Sequence, residues 1–163
     1  MDVKVTVWDA ETKPTDFVCI RAARRAMNIV AEIEVCLSVV HLFLPCTELH
    51  VATWENKSHQ EKRGDIVASL RLLAEGLNVL KALNQTRCVS SLLQRLENNI
   101  TNYLLILTHL QLSVRSCHIV SPSLSCVPRS TQSLNTFLLR YNQLIFGKLE
   151  RFMVSLETRC PSQ

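Results

Sequence analysis

The stretch Asn84–Val114, NQTRCVSSLLQRLENNITNYLLILTHLQLSV, decides the fold. Val89, Leu92, Leu93, Leu96, Ile100, Tyr103, Leu104, Leu107 and Leu110 recur at helical spacing and trace one broad apolar stripe. Gln94, Arg95, Glu97, Asn98 and Asn102 fall elsewhere, which is the pattern of an amphipathic helix. Just upstream, Ile66, Leu70, Leu73, Leu77 and Leu80, widened by Val67 and Leu72, form a second stripe. Only Asn84–Arg87 separates the two, and a link that short makes two helices antiparallel neighbours.

Four predicted helices emerge outward from this pair: Asp16–Leu37, His59–Leu83, Cys88–Val114 and Thr131–Leu156. The connections are Ser38–Ser58, Asn84–Arg87 and Arg115–Ser130, hence long, short, long. A long link runs back along a bundle and lets the next helix point the same way as the last, so the fold class is all-α, a four-helix bundle with up-up-down-down topology and two long crossover loops. That is the arrangement of long-chain, growth-hormone-like cytokines. The fourth stripe is Leu134, Phe137, Leu138, Tyr141, Leu144, Ile145, Leu149, Phe152 and Leu156, with Arg140, Asn142, Gln143, Lys148 and Arg151 on its polar face. Gly147 interrupts it at a cost of about 1 kcal/mol relative to Ala, which points to a close approach by another chain. The first stripe, Ile20, Ala23, Met27, Val30 and Ile33, is built of smaller residues. After it, Val35–Leu44 has two readings, a continuation of the helix or an extended segment in which Val39–Leu44 is a strand-like run packed over the bundle.

The 163 residues make one domain with room for a core. At 47% hydrophobic residues, with three Gly and five Pro, the composition excludes a disordered or collagen-like chain. The net charge of +4 is scattered apart from Arg21, Arg24 and Arg25. No basic run is interleaved with aromatics as a nucleic-acid stripe would be. Val35–Pro45 is too short and too polar for a membrane span, which needs roughly 20 apolar residues. Met1–Pro14 carries Asp2, Lys4, Asp9, Glu11 and Lys13 and so has no signal-peptide core. The sequence shows no phosphate-binding Gly-rich loop, no G-x-S-x-G elbow and no paired carboxylates, since Glu32 and Glu34 point to different sides of a helix. It reads as a non-enzyme without a cofactor. Cys46-x3-His50 and Cys117-His118 supply metal-ligand types at spacings that do not gather four ligands. Three sequons, at Asn56, Asn84 and Asn99, are glycan acceptors if the chain is secreted.

Three runs resemble a known family. Glu48-Leu49-His50-Val51-Ala52-Thr53-Trp54, Cys88-Val89-Ser90-Ser91-Leu92-Leu93 and Phe146-Gly147-Lys148-Leu149-Glu150-Arg151-Phe152 are similar to the erythropoietin/thrombopoietin cytokines. The Cys88 motif favours the thrombopoietin branch. The resemblance covers Val18–Cys160, is strongest from Thr47 onward and is poor before Cys36. The domain is therefore assigned to 18–163. Met1–Phe17 matches nothing in the family and reads as foreign to the secreted sequence. The chain stops three residues after Cys160, without the glycosylated tail of mammalian thrombopoietins.

The resemblance implies a secreted monomer that brings together class I cytokine receptor ectodomains of the thrombopoietin-receptor type, triggering JAK/STAT signalling and platelet production. An erythropoietin-like activity is the alternative. It also implies disulfides Cys19–Cys160 and Cys36–Cys88, with Cys46 a rival for Cys36. Cys117 and Cys126 are candidates for a small extra ring, and with seven cysteines one is left over. The stronger receptor surface falls on the fourth helix with the first long loop, at Arg140, Gln143, Phe146, Gly147, Lys148 and Arg151. The weaker falls on the first and third helices, at Arg21, Arg24, Arg25 and Asn28. Phe146 has two readings, an exposed aromatic anchor or a core residue. Lys148 and Arg151 are expected to be surface cations whose truncation weakens binding and leaves folding nearly unchanged. Two rival classes are an intracellular helical adaptor with reduced cysteines and an amphipathic lipid carrier.

Overall fold

The computed structural model describes residues 14–27, 41–82, 90–110, 112 and 122–160. The first predicted helix comprises α1 (Pro14–Cys19) and α2 (Arg21–Met27). They are separated by Ile20, across which the amides of Ile20 and Arg24 still donate one turn back, to Asp16 and Ile20. The remainder of that segment lies outside the described residues.

Helix α4 spans His59–Ala82 and opens with a capping box. The Glu61 amide donates to Ser58 Oγ at 3.1 Å, and the Ser58 amide donates to Glu61 Oε1 at 3.2 Å. Helix α5 spans Ser90–His109, ending short of the predicted Val114. Arg63 on α4 reaches its last turn and donates to the carbonyl oxygens of Leu110 (2.7 Å) and Leu107 (3.4 Å), meeting needs that a continued helix would otherwise meet.

The fourth helix starts at Leu134, not at Thr131, because Ser133 caps it by accepting from the Thr136 amide. It runs as α6 (Leu134–Leu144), one π turn (Ile145–Leu149) and α7 (Glu150–Leu156). Arg129–Thr131, the start of the segment expected to be helical, is instead strand β2, antiparallel to β1 (Leu42–Leu44) in the register Leu42↔Thr131 and Leu44↔Arg129. The strand-like run of the first crossover thus pairs with the second crossover. Leu42 and Leu44 face the core and Phe43 faces out. A short helix, α3 (Val51–Glu55), follows β1 and buries Trp54.

Side-chain pairs fix the helix directions. Arg21 meets Glu157 and Arg24 meets Glu150, so the first helix is antiparallel to the fourth. His59 packs on Phe152, Asp65 meets Lys148 and Gly76 faces Phe137, so α4 is antiparallel to the fourth as well. Arg63 reaches Leu110 and Lys81 reaches Glu97, which sets α5 antiparallel to α4. The order is up-up-down-down. Among the core residues, Ile66, Leu70, Leu73, Leu96, Leu107, Phe137, Tyr141, Leu144 and Phe152 are completely enclosed. A Cβ on Gly76 would lie 2.8 Å from the Phe137 ring, so this glycine sets how closely α4 and α6 approach. At Gly147 a Cβ would have nothing within 4 Å among the described residues, and no packing among them requires glycine there.

Cys19 is bonded to Cys160, with Cα atoms 5.8 Å apart, joining the start of the first helix to the end of the fourth. Cys126 is bonded to Cys46, with Cα atoms 6.0 Å apart. This corrects two sequence readings. Cys126 does not close a ring with Cys117, and Cys46 does not compete for Cys88, because the β1–β2 pairing brings the two crossovers together and with them Cys46 and Cys126. Cys36, Cys88 and Cys117 lie outside the described residues.

Candidate functional site

The fourth helix carries most of the predicted site residues, and the structure sorts them by depth. Lys148 is buried, at 4% exposure. Its ammonium donates to Asp65 Oδ2 (2.8 Å), to the Cys46 carbonyl (2.8 Å) and to Ser125 Oγ (3.2 Å), and it lies 5.5 Å from the centre of the Trp54 ring. One cation therefore ties the fourth helix to α4, to both crossovers and to α3. Lys148 is not the surface contact expected from the sequence: it falls one helical turn from both Leu144 and Phe152, inside the apolar stripe. A cavity of about 280 Å³ opens beside it, walled by Thr47, Glu48, Trp54, Arg129 and Arg140.

Arg140, Gln143 and Arg151 stay outside, against the first crossover. Arg140 donates to Gln143 Oε1 (3.1 Å) and lies 3.8 Å from Glu48, and Thr47 Oγ1 donates to the same Gln143 oxygen at 3.0 Å. Arg151 donates to Glu55 of α3 at 2.7 Å, and that hydrogen bond holds the Glu55 carboxyl below its usual range. Solvent screens such exposed pairs, so they contribute little to folding and these arginines remain open to exchange of partner. Phe146 is 64% exposed and is not a core residue. It borders a second groove, of about 170 Å³, formed with Phe17, Arg25, Tyr103 and Glu150. The expected strip thus divides. Arg140, Gln143 and Arg151 belong with the first crossover, and Phe146 belongs with the first helix.

On the first helix, Arg24 is also a correction. Its guanidinium is buried and donates to Glu150 (2.7 and 2.9 Å), to Glu157 (3.1 Å) and to the carbonyls of Phe17 and Val18. Arg21 is exposed and grips Glu157 through two hydrogen bonds of 2.8 and 2.9 Å, and Arg25 is exposed beside Phe146. Asn28 lies outside the described residues. The hydrogen bonds from Arg21 and Arg24 hold the Glu157 carboxyl down to about 2, from an ordinary 4.5. A depressed carboxylate stabilises the fold fully above the unfolded value, and that contribution is lost as pH falls from about 4.5 to about 2. The protection factors of the amides in residues 14–27, taken relative to the intrinsic exchange rate at each pH, are accordingly expected to stay high at pH 5 and to fall in that window. An onset above pH 5 would remove Glu157 as its cause.

The sequence reading missed the groups beneath this surface: Asp65, Trp54, Ser125 and the Cys46–Cys126 bond. It also offered Asn99 as a glycan acceptor. Asn99 is 6% exposed, and its side-chain nitrogen donates to Tyr141 Oη at 3.3 Å, so burial removes it from the acceptor set. Asn56, at the end of α3, is exposed, and Asn84 lies outside the described residues. Cys46 is taken up in a disulfide and is no metal ligand. Among the described residues no three His, Cys, Asp or Glu are placed to hold a metal ion, and no helix is long and apolar enough to cross a membrane.

A four-helix bundle with two long crossovers, disulfide-linked at its ends and across those crossovers, is the fold of a helical cytokine. Residues 18–163 match the erythropoietin/thrombopoietin family, and the chain belongs to it. Its members are secreted cytokines, not enzymes, and bind class I cytokine receptors. A search of curated proteins found no match to the chain.

Proposed function

We propose that this protein is a thrombopoietin-like cytokine that dimerises a class I receptor through two surfaces, starting JAK/STAT signalling and thrombocyte production. The observation that carries the reading is the exposed strip of the fourth helix, where Phe146 stands 64% exposed next to Gly147, whose own surroundings are open. Such an aromatic on a rigid helix, with Arg25 of the first helix beside it and Arg140, Gln143 and Arg151 on the adjoining face, has the composition of an interface anchor. Arg21 and Arg25 belong to the weaker surface. Lys148 and Arg24 support these faces from within. The Cys88 motif favours the thrombopoietin branch, and the disulfides suit an extracellular protein better than a cytosolic adaptor.

Phe146→Ala and Arg151→Glu are each expected to weaken receptor binding by roughly 2 kcal/mol, about 30-fold, mainly through faster dissociation. Phe146→Ala should change stability by no more than about 0.5 kcal/mol, and Arg151→Glu somewhat more, because it sets a carboxylate against Glu55. Gly147→Ala should fold normally yet bind less well, because the added methyl would stand where a partner approaches. Surface plasmon resonance on purified receptor ectodomain reads all three. Wild-type affinity in all three would move the receptor surface elsewhere. Reporter cells carrying either the thrombopoietin or the erythropoietin receptor test the branch, and a response through the erythropoietin receptor alone would overturn it.

A further inference from the structure

We propose that the Cys46–Cys126 disulfide is a thiol–disulfide exchange site, open to a dithiol, whose reduction unfastens the two crossovers from each other. The molecule's two described disulfides differ in setting. Cys19 and Cys160 both pack against the core, whereas Cys126 is exposed and Cys46 half-buried at the wall of the larger cavity. Lys57, Arg129, Arg140 and Lys148 line the same cavity against one carboxylate, Glu48; Lys57 and Lys148 lie against Asp65 and Arg140 against Glu48, so Arg129 carries most of the positive charge the wall can offer. A cationic wall draws in an attacking thiolate and stabilises the thiolate that leaves, and both effects speed exchange.

The reaction runs in two displacements. A thiolate of the dithiol attacks Cys126 Sγ, the Cys46–Cys126 bond breaks, and Cys46 departs as a thiolate that takes a proton from water. The second thiol then attacks the mixed disulfide and releases Cys126. Two electrons pass from the dithiol, which leaves as its own disulfide. Afterwards the crossovers are held to each other by the three-residue β1–β2 ladder and, through Lys148, by the Cys46 carbonyl and Ser125 Oγ. Because the first crossover also carries Thr47, Glu48 and Glu55, reduction would loosen the surface beside Arg140 and Arg151. That consequence for receptor binding rests on the function proposed above; the exchange chemistry does not.

The full chain would be titrated with dithiothreitol at pH 7, alkylated and peptide-mapped. Cys46 and Cys126 are expected to label at about tenfold less dithiol than Cys19 and Cys160. Labelling of both pairs together, or of Cys19 and Cys160 first, overturns the proposal. Arg129→Gln should slow exchange by about threefold, and an unchanged rate overturns the part assigned to the cationic wall. The variant Cys46→Ser/Cys126→Ser should show faster hydrogen exchange over residues 42–47 and 129–131 while α4 and α5 stay protected. Unchanged protection of both strands would mean that the bond fastens nothing.

Discussion

Lys148→Ala is expected to destabilise the protein by about 3 kcal/mol, the lower end of the cost of breaking a buried ion pair. Asp65 is 2% exposed, and without the ammonium at 2.8 Å its carboxylate would be left with Lys57 Nζ at 3.8 Å. The Cys46 carbonyl and Ser125 Oγ would lose the same donor. Desolvating a carboxylate without a close partner costs more than the cavity left by the alkyl stem, so Lys148→Met should recover little. Lys148→Met/Asp65→Leu removes both charges and should return most of the loss, because an apolar pair of similar volume is often as stable as a buried ion pair. Urea unfolding reads the series, with Arg151→Ala as a surface control that should shift stability by no more than about 0.5 kcal/mol. If Lys148→Ala behaves like Arg151→Ala, Lys148 is not the tie described here. If Lys148→Ala is destabilised as expected, a loss of receptor binding in it says nothing of direct contact, whereas Phe146, Gly147 and Arg151 can be changed without disturbing the buried pair.

Helix positions were legible because burial imposes a period. Leu92, Leu96, Ile100, Tyr103 and Leu107 lie inward wherever the neighbouring helices sit, and link length then fixes direction. What the period also carried, and the reading did not use, is that polar residues lying on the stripe are inward too. Lys148 stands four residues from both Leu144 and Phe152, and Asn99 stands four before Tyr103. Sorting residues by type sends them to solvent, whereas sorting by position sends them to the core. The capping box Ser58-x-x-Glu61 was likewise available in the sequence. Other features were not. Arg129–Thr131 has no apolar alternation and is a strand only because β1 offers its edge. Cys46 and Cys126 are 80 residues apart, and cysteine spacing alone does not choose among connectivities. The π turn at Ile145–Leu149 has no pattern of its own in the sequence, yet it contains Phe146 and Gly147, and such turns are frequent at functional sites.

Cys19→Ser/Cys160→Ser should have the largest effect, a loss of about 5 kcal/mol by the chain-entropy account of a cross-link. The bond joins residues 141 apart, so its removal frees nearly the whole unfolded chain. Single domains are stable by only about 5–15 kcal/mol, and the variant is therefore expected to be largely unfolded near 37 °C or to melt far below the wild type. In the native state the first helix would still be held by Arg24 on Glu150 and Glu157, by Arg21 on Glu157, and by Phe17 packed edge-on against Tyr103 at 5.7 Å. Those contacts decide how the variant fails. If they suffice, α1 and α2 remain docked and unfolding stays a single cooperative transition, merely shifted. If they do not, residues 14–27 lose hydrogen-exchange protection first while α4 and α5 keep theirs, and acid advances that release because protonating Glu157 removes the shared anchor of Arg21 and Arg24. Calorimetry with exchange mass spectrometry at pH 7 and pH 3 separates the two routes. A loss below about 1 kcal/mol at both pH values would show that the Arg24 cluster, and not the disulfide, closes the bundle.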